Sequence, residues 1–286
     1  MAFHHSTEHR PIQPWIATSS TPAFQTDGLH YREFAPPAGL EDIVHVVWAL
    51  TGASPANEPV HYHVVPDACS DLVFDRHAGE GYIFGTVPEA KRVETQGRIS
   101  LVGVRLQPHL LPAYIGVPAL QMQNREIAFK EVSLTALNDL FECHAGDDTR
   151  SFGAREATAL SEAVSTLLRP ERVNIRARWL TKALLAGGGS VDRAAHTTGF
   201  SARQLQRIAE QELGLTPKRL GRILRLQQTF PSVLGGHKSF ALIAADHGYA
   251  DQAHMIREFA TLTGYSPGFW RSHRMSDLYN RAGEEG

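Results

Sequence analysis

The chain lacks the long apolar segment that a membrane-spanning helix requires. Hydrophobic residues make up 42% of its 286 positions, but no run approaches about eighteen consecutive apolar residues. The N-terminal stretch MAFHHSTEHRPIQPW is polar and rich in histidine, and it has no apolar core of a secretory signal. The sequence therefore predicts a cytoplasmic protein that does not contact a membrane.

Cysteine is scarce, and the common catalytic motifs are missing. Cys69 and Cys143 could form one disulfide at most, and a chain of this length folds without one, so we expect free thiols. No Gly-x-Ser-x-Gly elbow, phosphate-binding loop or dinucleotide fingerprint occurs. These absences favour a protein without catalytic residues, bound metal or cofactor over an enzyme.

The net charge is close to zero, but it is unevenly distributed. Residues 1–170 contain 20 acidic and 12 basic side chains, a net charge of −8, whereas residues 171–286 contain 10 acidic and 16 basic side chains, a net charge of +6. Because a basic surface attracts polyanions, only the second part is predicted to meet nucleic acid. Solvated surfaces that differ by chance would give the same totals, so charge alone does not decide.

Apolar spacing divides the chain in the same way. Short apolar runs broken by glycine and proline predict β-strands in VHYHVVPDACSDLVFD, GYIFGT and RISLVGVRLQP. Helical spacing follows in HLLPAYIG, SLTALNDLFECHA, REATALSEAVSTLLRP and RVNIRARWLTKALLAGGGS, the last with Ile175, Trp179 and Leu180 on one face. The pattern predicts an α+β chain with an N-terminal β-rich domain over residues 1–170 and an all-α domain over residues 171–286.

The helical part contains two copies of one unit. Four residues recur with an offset of 49, namely Ser190, Ala195, Gly199 and Phe200 as Ser239, Ala244, Gly248 and Tyr249. Four more recur with an offset of 50, namely Arg207, Gly214, Thr216 and Pro217 as Arg257, Gly264, Ser266 and Pro267. Two copies are too few for a solenoid, so two similar folding units are favoured.

Each copy has the sequence signals of two short helices joined by a tight turn. Ser190 and Ser201 suit helix N-caps, and Gly199 suits the end of the first helix. In the second copy the corresponding caps are Ser239 and Asp251. Helix, glycine turn and helix together predict a helix-turn-helix in each copy.

The second helix of each unit separates into a packed and an exposed face. The packed residues are predicted to be Leu205, Ile208, Ala209 and Leu213, and in the second unit Met255, Phe259 and Leu262. The exposed residues are Arg203, Gln206, Arg207 and Glu210, and in the second unit Gln252, Ala253, Ile256 and Arg257. Arginine can bond to guanine, glutamine to adenine, and alanine or isoleucine can touch the thymine methyl group. The pattern predicts DNA binding in the major groove, although an ordinary solvated face could carry the same residues.

The connector between the units, PKRLGRILRLQQTFPSVL, is predicted to be a stiff helix that begins at Pro217. One side is apolar and is lined by Leu220, Ile223, Leu224 and Gln227. The other side is basic and carries Lys218, Arg219, Arg222 and Arg225. From this side Lys218 and Arg222 are predicted to contact DNA phosphates.

The helical part resembles the DNA-binding domain of AraC-type transcriptional regulators, the AraC/XylS family, over residues 173–274. The most specific stretch is IAADHGYADQAHMIREFATLTGYSPGFWRSHR, and the first unit departs from the family at Ile208-Ala209. The resemblance implies seven helices and two helix-turn-helix units on a linker helix. It also implies that the following residues face the groove: Arg203, Gln206, Arg207, Gln252, Ala253, Ile256 and Arg257. The function that it implies is sequence-specific DNA binding by a transcription regulator.

The first part resembles a poorly characterised domain that precedes this DNA-binding domain in one AraC-type subgroup, through VVPDACSDLVF and GVRLQPHLLPAYIGVP. That resemblance implies a cupin-like β-sheet core followed by helices, which serves as a sensor or dimerisation domain. The expected partners are double-stranded DNA and a small-molecule effector, with RNA polymerase and a second copy of the chain as further candidates.

A cupin-like enzyme or metal-binding sensor in the N-terminal domain is the alternative. His61 and His63 alternate along a strand and so face one side, with Asp67 and Asp71 nearby in sequence. Imidazole and carboxylate suit zinc, but two histidines on a wetted strand face would look the same. We take His61, His63 and Arg105 as candidate effector contacts, although an arginine on an apolar strand more often pairs with a nearby carboxylate.

Overall fold

The computed structural model describes residues 16–17, 29–54, 59–132, 136–145, 152–168 and 174–272. The part up to residue 168 contains both strands and helices, and the part from residue 174 contains only helices. The α+β prediction is therefore confirmed. The predicted domain boundary at residues 170 and 171 lies outside the described residues. Within these ranges no helix combines the length and the apolar composition of a membrane span.

The strands of the first domain form two antiparallel sheets. In the described residues they are β1 (Ile16–Ala17), β2 (Leu29–Phe34), β3 (Val44–Ala53), β4 (Val60–Val64), β5 (Ser70–Asp75), β6 (Glu80–Phe84), β7 (Lys91–Thr95), β8 (Arg98–Leu106) and β9 (Glu126–Ala128). One sheet has the order β2-β3-β8-β5-β6-β9, and the other has the order β1-β4-β7. Each segment that was predicted to be extended therefore contributes a strand.

The larger sheet divides its side chains between two apolar clusters, because successive strand residues point to opposite faces. On β3, Val47 and Ala49 pack toward the helices, whereas Trp48 and Leu50 pack on the other face. The helices are α1 (Pro112–Ile115), α2 (Ala119–Met122), α3 (Ala136–His144) and α4 (Ala154–Leu167). They cover one face of the sheet, and the other face carries a separate apolar cluster that contains Tyr31, Val46 and Trp48.

Seven helices form the second domain in the part of the chain that the structure describes, as the resemblance implied. They are α5 (Ile175–Ala186), α6 (Val191–Thr198), α7 (Ala202–Leu213), α8 (Pro217–Gly235), α9 (Phe240–Asp246), α10 (Gln252–Thr263) and α11 (Pro267–Ser272). The residues predicted to pack on α7 and α10 are all buried. On α5, Leu180 is buried, but Ile175 and Trp179 are 47% and 51% exposed, so these three residues do not share a packed face.

Side-chain caps and glycine turns shape both units alike. The caps are Ser190, Ser201, Ser239 and Asp251, each of which accepts the backbone N–H three residues later. A cap of this kind contributes about 1 kcal/mol. The turn and end glycines have left-handed backbone conformations, and they are Gly199, Gly214, Gly248 and Gly264. The two units therefore share one local frame, as their sequence repeat predicted.

The backbone of the linker helix α8 is in direct contact with the backbone of the loop that precedes the first unit. A Cβ atom on Gly221 would overlap the carbonyl group of Gly189, and a Cβ atom on Gly189 would overlap that of Gly221. Gly189 also has a φ of 79°, which favours glycine. The glycine pair thus allows the first unit to pack closely against α8. Lys238 occupies the position that corresponds to Gly189 in the second unit.

The two domains are packed against each other through the turn between β4 and β5. Val65 and Ala68 of this turn belong to the apolar core of the helical domain. Between them, Pro66 O accepts a hydrogen bond of 2.7 Å from Gln227 Nε2 of α8. The turn is therefore part of the support of the linker helix.

Further contacts between the domains reach the ends of α7 and α10. Gln123 Nε2 donates to Gly214 O at 3.2 Å where α7 ends, and Ala90 N donates to Leu262 O at 3.1 Å near the end of α10. Two ion pairs accompany these hydrogen bonds, Arg178–Asp42 and Arg219–Glu89. Both units thus contact the first domain by the ends of their second helices.

Candidate nucleic-acid interface

The exposed face of α7 carries the residues predicted for it. Arg203, Gln206 and Arg207 are exposed, while the neighbouring Leu205 and Ile208 are buried. The Gln206 side chain donates from Nε2 to Glu210 Oε1 one turn later. Arg203 and Arg207 have no hydrogen-bond or ion-pair partner among the described residues, so both guanidinium groups are available to a ligand.

The exposed face of α10 is less polar than that of α7. Gln252, Ala253 and Arg257 are exposed as predicted. Ile256 is only partly exposed, because it packs against the core of the helical domain. Arg257, like its counterpart Arg207, has no partner in the described parts of the chain. The feature that both second helices share is therefore one unpaired, exposed arginine at the same position of the repeat.

The basic side of α8 is largely occupied by partners within the protein. Lys218 is exposed, but Arg219 pairs with Glu89 of the first domain. Arg222 and Arg225 both bond to Glu258 of α10. Of the two predicted phosphate contacts, Lys218 is the exposed one, and Arg222 is bound to a carboxylate.

A groove of about 660 Å³ lies where the two units and the linker helix meet. Its lining includes Gln206 of α7, Lys218 and Arg222 of α8, and His254 of α10. The groove therefore joins a predicted base-reading residue to both predicted phosphate contacts. The structure brings these sequence-predicted residues together on one side of the domain.

Two families of domains match the chain. Residues 194–273 match the model of a helix-turn-helix domain, and residues 32–128 match the model of a domain of unknown function (DUF6597). The first match begins at Ala194 within α6 and covers the rest of the first unit, the linker helix and the second unit. The helical part is an AraC-type helix-turn-helix domain. The exposed faces of α7 and α10 are the candidate DNA interface of this domain.

Solved structures resemble the chain at low sequence identity. A probable AraC family transcriptional regulator from Rhodopseudomonas palustris CGA009 is 18% identical, with 38% of this chain and 98% of that chain covered and a TM-score of 0.29. ToxT from Vibrio cholerae is 10% identical, with 77% and 91% covered and a TM-score of 0.40. A search of curated proteins finds no match.

Arg105, a candidate effector contact, is paired within the first domain. It is 2% exposed, and its Nε lies 3.1 Å from Asp67 Oδ2 and 3.1 Å from Asp71 Oδ1. Asp71 Oδ1 also accepts a 2.8 Å hydrogen bond from Trp48 Nε1. Burial raises the pKa of Asp67. The Nη1 atom of Arg105 has no hydrogen-bond partner within the described residues, so one donor is left for a further acceptor.

The metal-site alternative rests on residues whose side chains the structure does not describe. The backbones of His61 and His63 lie in β4, and their side chains are outside the described part. Among the described residues no group of three or more histidine, cysteine, aspartate or glutamate side chains could hold a metal ion. Cys69 is buried and Cys143 is exposed, and both thiols are free.

Two histidines of the first domain are buried. Burial, with the nearby charge of Arg105, lowers the pKa of His45 to about 3. Burial, with the charge of Arg178, lowers the pKa of His109 to about 4. Both rings are therefore neutral at neutral pH.

Sequence reasoning missed Glu258 of the AraC-type domain. Glu258 is 6% exposed, and it stands among the packed residues of α10, next to Phe259 and three residues after Met255. An acidic residue at a core-facing helical position was the signal that could have identified it, together with arginines on the neighbouring helix.

Proposed function

We propose that the protein is a sequence-specific transcription regulator whose two recognition helices, α7 and α10, read two different DNA boxes under the control of the first domain. The observation that carries this proposal is the pair Arg207 and Arg257, exposed and unpaired at one position of the repeat. One such arginine would be an ordinary surface residue. Two, each on the second helix of a capped helix-turn-helix, match the requirement of major-groove recognition.

The side chains of the two helices suit different bases. On α7 the reading residues are Arg203, Gln206 and Arg207, and on α10 they are Gln252, Ala253, Ile256 and Arg257. Arginine bonds to guanine through two atoms, glutamine to adenine, and the apolar residues can contact the thymine methyl group. Because the two sets differ, the two boxes should differ in sequence.

Phosphate contacts should position the domain without specifying bases. Lys218 is exposed beside Gln206 in the groove and is the candidate for this role. Because Glu258 binds Arg222 Nε, Arg222 could contact a phosphate only through its remaining guanidinium N–H groups. We therefore expect a steep fall of DNA affinity with salt, to which Lys218 contributes.

The rigid linker helix limits how the boxes are arranged. Major-groove segments on one face of the duplex recur about every 34 Å, or about 10 base pairs. One chain should then protect about 20 base pairs. The experiment is selection of bound duplexes from random DNA by the full-length protein, followed by footprinting of the selected site. Two unlike boxes one turn apart support the proposal, and a single box of about 6 base pairs would contradict it.

We further propose that a small molecule bound in the first domain regulates DNA binding. Arg105 Nη1 is a buried donor without a partner within the described residues, which suits an acceptor group of an effector. Asp67, which is bonded to Arg105, directly follows Pro66, the acceptor of the hydrogen bond from Gln227 of α8. A ligand that shifts Asp67 would therefore act directly on the support of the linker helix.

A thermal shift screen of the full-length protein tests the effector proposal. A ligand that binds only the native state should raise the melting temperature of the wild type. It should fail to do so in Arg105→Lys, while Arg98→Lys, an exposed arginine of the same strand, should respond like the wild type. An equal shift in both variants would contradict a site at Arg105.

The remaining partners are proposed from the function. A regulator of this type acts in the cytoplasm, where its DNA lies, and could engage RNA polymerase and a second copy of the chain. Sedimentation of the full-length protein with and without DNA tests the dimer. The metal content of protein purified without added metal tests the alternative, in which the first domain is an enzyme or metal sensor.

A further inference from the structure

Glu258 is buried in a helix that is proposed to read DNA. It lies on α10 directly after Arg257, on the side that faces α8, and it is 6% exposed. The corresponding residue of the first unit, at the offset of 50, is the buried Ile208. The two recognition helices thus differ at one central core position, which is apolar in one and charged in the other.

A buried carboxylate without partners would cost several kcal/mol, so its partners decide what it does. Glu258 Oε2 lies 2.9 Å from Arg222 Nε, and Glu258 Oε1 lies 2.6 Å from Arg225 Nη2. Both arginines belong to α8 and are three residues apart, so they present adjacent donors from one face of the helix. Both carboxylate oxygens are therefore held by the linker helix.

Arg225 extends the same attachment to the turn of the second unit. Its guanidinium carbon lies 4.5 Å from the centre of the Tyr249 ring, and its Nη1 donates to Gly248 O at 3.4 Å. The Tyr249 hydroxyl lies 3.3 Å from Thr229 Oγ1 of α8. The linker helix thus holds the second unit both at its turn and in the middle of α10.

We propose that Glu258 is a positioning residue that, through Arg222 and Arg225, fixes the second recognition helix relative to the linker and thereby sets the spacing between the two DNA boxes. Charge-assisted hydrogen bonds are directional, whereas apolar contact permits small shifts. The proposal rests on the proposed function, in which both helices read bases. It also assigns Arg222 and Arg225 a role in orienting α10.

The test uses full-length Glu258→Gln, which keeps the size of the side chain and removes its charge. Fluorescence anisotropy gives its affinity for the native two-box duplex, for a duplex with the second box scrambled, and for duplexes with one base pair added or removed between the boxes. We expect affinity for the native duplex to fall about tenfold, a loss of about 1.4 kcal/mol. Affinity for the scrambled duplex should stay within twofold of that of the wild type, and the preference for the native spacing should be lost.

The direction of the change in DNA affinity distinguishes a positioning role of Glu258 from a direct effect of its charge on DNA. Removing a negative charge near DNA should by itself strengthen binding to every duplex. A variant that binds all duplexes more tightly, or one that loses affinity equally for all of them and keeps the native spacing preference, would overturn the proposal. Lys218→Ala is the matched control on α8, and it should weaken all duplexes by one factor with the spacing preference intact.

A second variant and a second readout cover the remaining outcomes. If Glu258→Gln does not fold, Arg222→Lys keeps the charge on α8 but lacks the Nε donor, and it should give the same pattern more weakly. Hydrogen exchange without DNA should be faster at residues 248–263 and unchanged at residues 199–213 in either variant, and uniform exchange would overturn the proposal. If the wild-type protein binds the native and the scrambled duplex equally well, the proposed function is contradicted instead. Hydrogen exchange then tests, independently of DNA, whether Glu258 attaches α10 to α8.

Discussion

The two helix-turn-helix units share a local frame but are attached to the linker helix by different contacts. The first unit packs against the linker helix at the backbone crossing of Gly189 and Gly221, and its Ile208 is buried in the core of the helical domain. In the second, Lys238 replaces the glycine, and Glu258 replaces the isoleucine. Caps and turns determine where each helix begins and ends, so they recur, whereas the contacts that orient a whole unit can diverge.

This difference predicts that the two units fail under different changes. A close backbone crossing has no room for added volume, so the first unit should be sensitive to added atoms. A buried ion pair depends on both partners, so the second unit should be sensitive to lost charge. Substitutions that place the contact of one unit into the other should therefore have the largest effects.

Ile208→Glu should have the largest effect. It places the acidic residue of the second unit at the same position of the first, where no pair of arginines has been identified to receive it. An unpaired buried charge should lower the free energy of unfolding by about 4 kcal/mol. Urea denaturation measures the loss, with Ile208→Val as the control, which should cost about 1 kcal/mol. Equal stability of the two variants would contradict the account.

Gly221→Ala should follow in size. The added methyl group would meet the backbone of Gly189, which cannot rotate away. We expect a loss of about 2–3 kcal/mol in the same assay. Gly235→Ala, in the same helix but with only ordinary contact at its Cβ, should leave stability unchanged or improve it slightly. A Gly221→Ala protein as stable as this control would show that the crossing is not tight.

Arg207→Ala and Arg257→Ala should each cost about 2 kcal/mol of binding free energy on the selected site. The physical reason is the loss of a two-atom contact to one base, so each variant should relax preference at one position only. Competition assays with single-base substitutions measure both effects. If both variants relax base preference at the same position, or if neither relaxes it at any position, the two arginines do not read separate boxes.

Acid should destabilise the first domain and its contacts with α5. The pKa of His45 is lowered to about 3 and that of His109 to about 4, so both rings take up protons more readily when unfolded. Stability should therefore be full above about pH 6.5 and fall by up to about 1.4 kcal/mol per pH unit for each ring below it. Denaturation curves between pH 7 and pH 4.5 measure this, and His109→Gln should reduce the slope. An unchanged slope would exclude His109 as a source.

Much of the AraC-type domain was predictable from sequence because its signals are local. Caps such as Ser201 and Asp251, the end glycines and the apolar stripe each depend on residues within two helical turns. The strand pattern of the first domain was equally local. The exposed positions of Arg207 and Arg257 followed from the same periodicity.

The pairings could not be predicted, because they join residues far apart in the chain. Arg222 was expected at a phosphate and is bonded to Glu258, and Arg105 was left between an effector and a carboxylate and is bonded to Asp67 and Asp71. The exposure of Trp179 was also missed, since periodicity alone does not say which side of α5 meets the other helices. In each case tertiary packing supplies the partner.

A titration of the full-length protein on three duplexes tests the central claim that both units read DNA from one rigid frame. The duplexes carry the native site, the site with five base pairs inserted between the boxes, and the native first box with a scrambled second box. Five base pairs are about half a turn, so the insertion moves the second box to the opposite face of the duplex. The inserted site should bind as weakly as the scrambled one, with an affinity at least tenfold below that of the native site. Equal affinity for the native and the inserted site would contradict the claim.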